Sequence, residues 1–175
     1  MSGDWTNISA YRFVDMPDYE QMRAPLRRFC NARAIKGTIL LSHEGINIFL
    51  SAARKDIDAF VEHIQEDERF ANLTVKYSQS ETCSFRRMNV RLKKEIISMG
   101  MESVRPADFS GPHIDPLEFK QWLDEGKEIT ILDTRNDYEI RLGSFKNSVN
   151  LNLSTFRGFP EAIANSSFDR EKTVV

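Results

Sequence analysis

The hydrophobic period changes several times along the first 80 residues, and the order of these changes limits the fold more than any other feature of the chain. Apolar side chains at every second position predict strands, and apolar side chains three or four residues apart predict helices. The predicted elements are a strand at 7–14, a helix at 19–29, strands at 35–41 and 46–50, a helix at 57–64 and a strand at 73–77. This β-α-β-β-α-β order predicts an α+β ferredoxin-like domain over residues 1–80.

The second and third strands are joined by the short connection Ser42-His43-Glu44-Gly45. It fits a β-hairpin in which Gly45 takes a positive φ. Loop residues on a rigid scaffold often carry function, so His43 and Glu44 are candidates for supporting acid–base chemistry. Asn47 is a candidate for contact with a phosphate or a base edge. The alternative is a plain hairpin turn with a solvated histidine.

Basic residues cluster twice in the first 100 residues. An extended basic segment and linker is predicted over residues 81–114, since five cations in nine residues are followed by a Gly- and Pro-rich stretch. Lysine and arginine bind phosphates, and the neighbouring Phe85 is suited to stack an unpaired base, whereas the alternative is a solvated charged face. The aromatic sequence signature of the RRM class of RNA-binding sheets is absent. The candidate RNA contacts are Arg23, Arg27, Arg28, Arg86, Arg87, Arg91, Lys93 and Lys94.

A second unit is predicted over residues 115–175. Asp115, Pro116 and Glu118 occupy the N-cap, N1 and N3 positions of a helix start. Strands and helices then alternate, which predicts an α/β domain with a parallel sheet. Because the chain stops at the apolar strand 173–175, we expect this domain to be incomplete.

Charged residues follow the first strand of that second unit, at Asp133-Thr134-Arg135. Charges beside a core persist mainly when they are paired. The favoured interpretation is therefore a structural ion pair between Asp133 and Arg135, with Glu139 as a further partner of Arg135. The alternative is that these side chains contact a substrate or an active loop.

Composition excludes several classes of protein. A chain that is 41% hydrophobic and 29% charged is an ordinary globular chain, and a net charge of −2 argues against a histone-like protein. No apolar run approaches the ~18 residues of a membrane span, and the N-terminus lacks the features of a signal peptide, so a cytoplasmic protein is expected. Two cysteines, with no metal-ligand or phosphate-loop motif, predict neither a disulfide framework nor a metal or nucleotide cofactor.

Five motifs occur in an order that resembles the rhodanese-domain tRNA uridine hydroxylase family. The resemblance covers the chain from about Asn7 onward. Members of this family have a ferredoxin-like N-terminal domain followed by a rhodanese domain. The motifs are Ser42-His43-Glu44-Gly45-Ile46-Asn47, Phe85-Arg86-Arg87-Met88, Lys93-Lys94-Glu95-Ile96, Asp133-Thr134-Arg135-Asn136 and Phe156-Arg157-Gly158-Phe159-Pro160.

The resemblance implies that the intact protein converts the wobble uridine of tRNA to 5-hydroxyuridine, with molecular oxygen as co-substrate. The expected partner is tRNA, with neither DNA nor a membrane. The family's rhodanese cysteine would lie beyond Val175, and neither Cys30 nor Cys83 matches it, so we expect this 175-residue chain to be inactive. Two alternatives stay open: a rhodanese-type sulfurtransferase, and a non-catalytic module that binds tRNA or a protein.

Overall fold

The computed structural model describes residues 5–96, 111–169 and 171–175, which form two compact units. The first unit, residues 5–96, is a five-stranded sheet with two helices. Its sheet order is β4-β1-β3-β2-β5, in which β5 runs parallel to β2 and the other neighbours are antiparallel. Its elements are β1 Trp5–Phe13, α1 Tyr19–Ala32, β2 Lys36–Ser42, β3 Gly45–Ala53, α2 Arg54–Gln65, β4 Val75–Ser80 and β5 Met88–Leu92. The predicted β-α-β-β-α-β order is confirmed.

One side of the sheet forms the core of the first unit with both helices. The register places Ile8 opposite Leu50 and Ile39 opposite Ile48, so these four side chains share one face. Phe60 of α2 is fully buried in the same cluster. Burial of these apolar surfaces is the main favourable contribution to folding. The core also contains the free cysteine Cys30 of α1, and its burial raises the pKa of the Cys30 thiol to about 12.

The hairpin between β2 and β3 confirms the prediction for Gly45. Ser42 and Gly45 pair at the end of the two strands, and Gly45 has a φ of 141°. A Cβ atom at this position would lie 2.0 Å from the main-chain oxygen of Arg12 on β1. Glycine is therefore required both by backbone conformation and by the close approach of β1.

The first unit extends further along the chain than residue 80, the boundary expected from the sequence. Residues 88–92 form β5 instead of continuing as linker, because Val90 faces the core and is almost fully buried. The pairing of β5 with β2 runs from Gly37 opposite Met88 to Leu41 opposite Leu92. Much of the expected Gly- and Pro-rich linker, residues 97–110, lies outside the described residues.

An ion-pair cluster fastens the start of α1 to the turn after α2. The Arg69 guanidinium lies 2.5 Å from Asp18 Oδ1 and 2.6 Å from Asp67 Oδ2. Asp18 is the N-cap residue of α1, yet its carboxylate binds Arg69 and makes no cap hydrogen bond. Hydrogen bonds from Arg69 lower the pKa of both aspartates below the ordinary value.

The second unit contains short parallel strand pairs. β6 Ile129–Thr130 pairs with β9 Thr173–Val174, and β7 Leu132–Asp133 pairs with β8 Val149–Asn150. Of its described residues, only Asp133 and Leu153 are buried. The helix start predicted at Asp115 is confirmed, since its side chain accepts a hydrogen bond from Leu117 N at 2.8 Å. The helices are α3 Pro116–Asp124, α4 Asp137–Ile140 and α5 Phe159–Ala164.

No helix in the described parts of either unit is both long and apolar enough to cross a membrane.

We predict that Arg69→Gln destabilises the first unit at pH 7 by about 1 kcal/mol, a modest value because solvent screens these half-exposed charges. The lowered pKa values mean that the stabilisation is present above about pH 4 and is lost as pH falls through the folded-state values. Urea unfolding of both proteins, followed by Trp5 fluorescence in a Trp122→Phe background, checks this at pH 7 and pH 3. A difference that is as large at pH 3 as at pH 7 would contradict the assignment.

Candidate nucleic-acid interface

Five of the predicted RNA-binding cations surround β5, which is an edge strand of the sheet. Arg86 and Arg87 precede the strand, Arg91 lies within it, and Lys93 and Lys94 follow it. All five side chains are exposed. Within the described parts of the chain, none of them forms an ion pair with a carboxylate, whereas Arg54, Arg69, Arg135 and Arg141 each pair with an aspartate.

The cations of α1 lie beside β5. Arg23 Nε donates a hydrogen bond to Val90 O at 3.1 Å, so the Arg23 side chain extends from the helix to the strand. Arg27 is one helical turn further along α1 and is exposed, as is the adjacent Arg28. The two basic groups seen in the sequence therefore adjoin in the fold. We call them together the basic edge: Arg23, Arg27, Arg28, Arg86, Arg87, Arg91, Lys93 and Lys94.

Protection of an exposed strand edge explains only part of the basic edge. Charged side chains on an edge strand hinder its pairing with another chain. That explanation applies to Arg91, which lies in β5 itself. The other cations lie on α1 or on the chain before and after β5, where no strand edge needs blocking. Exposed cations grouped in this way are suited to bind a polyanion.

The hairpin candidates do not form one cluster. The Glu44 carboxylate accepts a hydrogen bond from Ile96 N at 2.5 Å, and so holds the chain that follows β5. The main-chain oxygen of His43 accepts from Met16 N at 2.8 Å, while the imidazole is exposed. Asn47 lies on the opposite side of β3 from the core. Glu44 therefore has an anchoring role, and an acid–base role for His43 stays a prediction.

Asp133 and Arg135 form a bidentate ion pair in the second unit. Asp133 Oδ1 lies 2.9 Å from Arg135 Nε, and Oδ2 lies 2.6 Å from the terminal nitrogen that also donates to Gly143 O at 2.8 Å. The hydrogen bonds from Arg135 lower the pKa of Asp133. A carboxyl group held ionised and paired in this way is unsuited to act as a general acid.

Glu139 does not contact Arg135 as the sequence suggested. Its carboxylate accepts hydrogen bonds from the main chain of Asn136 at 3.2 Å and from the Asn136 side chain at 3.0 Å. The bond from the main-chain N–H of Asn136 to the Glu139 carboxylate is one half of a capping box at the start of α4. The expected partnership was wrong because the first-turn position of Glu139 directs its side chain back to the N-cap. Its negative charge still helps to raise the pKa of Arg135, after the larger effect of Asp133.

Sequence reasoning missed a pair of exposed aromatic side chains on the open side of the first sheet. Tyr11 of β1 is 52% exposed and Phe49 of β3 is 43% exposed. A search for the RRM signature could not find them, because neither strand carries that motif. The signal that was present is strand alternation: Phe49 has the opposite parity to Ile46, Ile48 and Leu50.

Metal chemistry and the concavity of the second unit add no further candidate. In residues 5–96, 111–169 and 171–175, no three His, Cys, Asp or Glu side chains are grouped as metal ligands would be. The second unit has a concavity of about 520 Å³ between β8 and α5, but none of the side chains that line it is titratable.

The sequence of the first unit matches a known domain family. Residues 5–96 match the family described as the UPF0176 acylphosphatase like domain. The solved acylphosphatase of Bacillus subtilis is similar over 50% of this chain and 98% of that chain, with 12% sequence identity and a TM-score of 0.37. A likeness at this level is too distant to add to the strand order described above.

Three curated relatives define the family more closely, and each is named tRNA uridine(34) hydroxylase. The protein from Cupriavidus necator is 46% identical over 175 residues, which is 97% of this chain and 62% of that protein. The protein from Thiobacillus denitrificans is 45% identical over 97% of this chain and 71% of its own length. The protein from Delftia acidovorans is 42% identical over 98% of this chain and 68% of its own length. The chain belongs to the tRNA uridine(34) hydroxylase family.

We predict that Arg135→Ala lowers the melting temperature of the second unit more than Asp133→Asn does at pH 7. In Asp133→Asn, Arg135 loses its partner, but it is half exposed and solvent hydrates its charge. In Arg135→Ala, the Asp133 carboxylate is buried and is left unpaired. The Asp133→Asn/Arg135→Ala double variant should recover part of the loss seen in Arg135→Ala alone. Thermal unfolding followed by Trp122 fluorescence in a Trp5→Phe background measures all three.

Because the folded-state pKa of Asp133 is lowered, the effect of Arg135→Ala should shrink as pH falls through that value. Equal losses for the two single variants would contradict the cost assigned to the buried Asp133 carboxylate, and no recovery in the double variant would contradict an interaction between the two side chains.

Proposed function

We propose that the intact protein hydroxylates the wobble uridine of tRNA to 5-hydroxyuridine, with molecular oxygen as co-substrate. The observation that carries this proposal is identity of 42–46% over nearly the whole chain to proteins named tRNA uridine(34) hydroxylase. This chain spans 62% of the length of the first of these relatives, so the activity is assigned to the intact protein. A cytoplasmic location agrees with a tRNA substrate. One atom of O2 enters the C5–H bond of the uracil and the other is reduced to water, so the proposed reaction also consumes two electrons from a reductant.

Within this protein, the first unit supplies the tRNA-binding surface through the basic edge. The cations of α1 adjoin those in and beside β5, and none of these cations forms an ion pair with a carboxylate among the described residues. Contact with phosphates releases condensed counterions, which gives affinity without sequence preference. Phosphate contacts of this kind position an RNA, and recognition of the wobble base requires further contacts.

The second unit is proposed to be the N-terminal part of a rhodanese-like domain. Its strands pair in parallel, as in α/β domains, and the Asp133–Arg135 pair stands at the end of β7, where the chain turns into α4. The pair stabilises this turn and takes no part in proton transfer. Active sites of parallel sheets lie beyond the carboxyl ends of their strands, so the turn borders the region in which the chemistry would occur.

Deletion of the gene should remove 5-hydroxyuridine from the wobble position of cellular tRNA, and the intact gene should restore it. Mass spectrometry of tRNA nucleosides measures this directly. Persistence of 5-hydroxyuridine, with loss of sulfur-containing nucleosides instead, would show that the protein is a sulfurtransferase. Unchanged nucleosides of both kinds would leave it as a binding module.

Replacement of Arg86, Arg87, Lys93 and Lys94 by Ala should weaken tRNA binding and flatten its salt dependence. Each duplex phosphate contact contributes about −0.9 to the slope of log affinity against log salt, so loss of four contacts should reduce the slope by up to about 3.6. All tRNAs should be affected alike, because phosphates carry no sequence information. Filter binding of the wild type and the variant over a range of salt concentrations measures both quantities.

The matched control replaces four exposed cations outside the basic edge, Arg54, Lys55, Lys120 and Arg141, by Ala. It removes the same formal charge, so any effect of net charge alone would appear equally in both variants. We expect the control to keep the wild-type slope. An identical slope and affinity in the wild type and the basic-edge variant would move the tRNA site away from β5.

A further inference from the structure

The side of the first sheet that faces away from α1 and α2 has an unusual charge distribution. Strand alternation places three cations on this open face, Lys36 of β2, Lys76 of β4 and Arg91 of β5. None of the five strands contributes an acidic side chain to it. Because Arg91 also belongs to the basic edge, the open face and the basic edge are continuous.

Two aromatic side chains stand in the middle of the open face. Tyr11 of β1 lies opposite Asn47, and Phe49 of β3 lies opposite Ser9, so the two rings are diagonal neighbours on the central pair of strands. Both are about half exposed. A T-shaped contact of 5.9 Å between the ring centroids of Tyr11 and Phe13 holds the tyrosine side chain on this face.

The segment between β4 and β5 lies beside these rings. Residues 81–87 pass from one edge of the sheet to the other, since β4 and β5 are its two edge strands. Ser84 Oγ donates to Asn7 Oδ1 at 3.2 Å, which holds the crossing segment against β1. A concavity of about 270 Å³ lies there, between Phe85 of the segment and Phe49 of the sheet, with Lys76 also in its lining.

We propose that this open face binds the unpaired bases of an RNA loop. Bases stack on Tyr11 and Phe49, the Asn47 amide hydrogen-bonds a base edge, and Lys76 and Arg91 contact the adjoining phosphates. Planar rings with exposed faces attract unpaired bases, and the bases of a duplex cannot reach them because they are already stacked. The absence of acidic side chains on these strands complements a polyanion.

The proposal rests on the proposed function and deepens it. A wobble uridine is a base of the anticodon loop, so its recognition requires a surface that reads unpaired nucleotides. The basic edge would hold the paired stem through its phosphates, and the open face, which is continuous with it through Arg91, would receive the loop.

The test compares the 175-residue chain with its Tyr11→Leu/Phe49→Leu variant. Leucine keeps an apolar side chain at two exposed positions but removes the aromatic faces. The matched control is Tyr138→Leu, which removes an exposed tyrosine of the second unit. The probes are an RNA hairpin with the sequence of an anticodon stem and loop, and a fully paired RNA duplex of the same length. Equal melting temperatures establish that the variants are folded.

The wild type should bind the hairpin more tightly than the duplex. The double variant should lose at least about tenfold in hairpin affinity, keep its duplex affinity, and keep the slope of affinity against salt. Tyr138→Leu should behave as the wild type. Removal of the loop bases, with abasic nucleotides, should weaken wild-type binding by a similar factor and should have little further effect on the double variant.

Unchanged hairpin affinity in the folded double variant would overturn the open-face proposal. The proposal would also be overturned if abasic nucleotides weakened hairpin binding by the same factor in the double variant as in the wild type. If the basic-edge variant still loses tRNA affinity in that case, tRNA binding by this chain stands and only the loop-binding surface is wrong. If the wild type binds neither RNA at any salt concentration, both the open-face proposal and the role given to the basic edge are overturned.

Discussion

The register of β3 between β1 and β2 is the constraint on which the rest of the first unit depends. Ile46, Ile48 and Leu50 point into the core, and Asn47 and Phe49 point to the open face. A slip of one residue would exchange these two sets, placing an amide in the core and three aliphatic side chains in water. Gly45 resists such a slip, because no other residue fits its φ and its close approach to β1. The register of β3 therefore determines both which side chains form the core and which side chains form the open face.

Much of the first unit could be predicted from the sequence, because its strands and helices have strong hydrophobic periods. The hairpin at Gly45 and the helix start at Asp115 were also predictable, since both depend on local backbone chemistry. The sequence does not predict the fifth strand as part of the sheet. Its segment is dominated by cations, and the three residues that bring it into the core, Met88, Val90 and Leu92, are too few to establish a period.

The candidate sites were only partly predictable, for a different reason. Sequence showed the two groups of cations, but their union at one edge depends on the pairing of β5 with β2 and on the contact of Arg23 with Val90. Spacing along the chain also suggested that Glu139 pairs with Arg135, whereas helix-capping geometry directs it to Asn136. Which of two nearby polar groups a side chain contacts is decided by backbone direction, which hydrophobic periods do not reveal.

The parallel pairing of β5 with β2 has a consequence for the order in which the first unit assembles. Hairpin strands β2 and β3 are joined by a two-residue turn, whereas Gly37 pairs with Met88, 51 positions along the chain. Closing so long a loop carries a larger entropic penalty, and we expect such contacts to form after local ones. Arg86, Arg87, Lys93 and Lys94 therefore reach their places late in folding. A nascent chain emerging from a ribosome, which is itself rich in RNA, would acquire its assembled basic edge only when the sheet beneath it is complete.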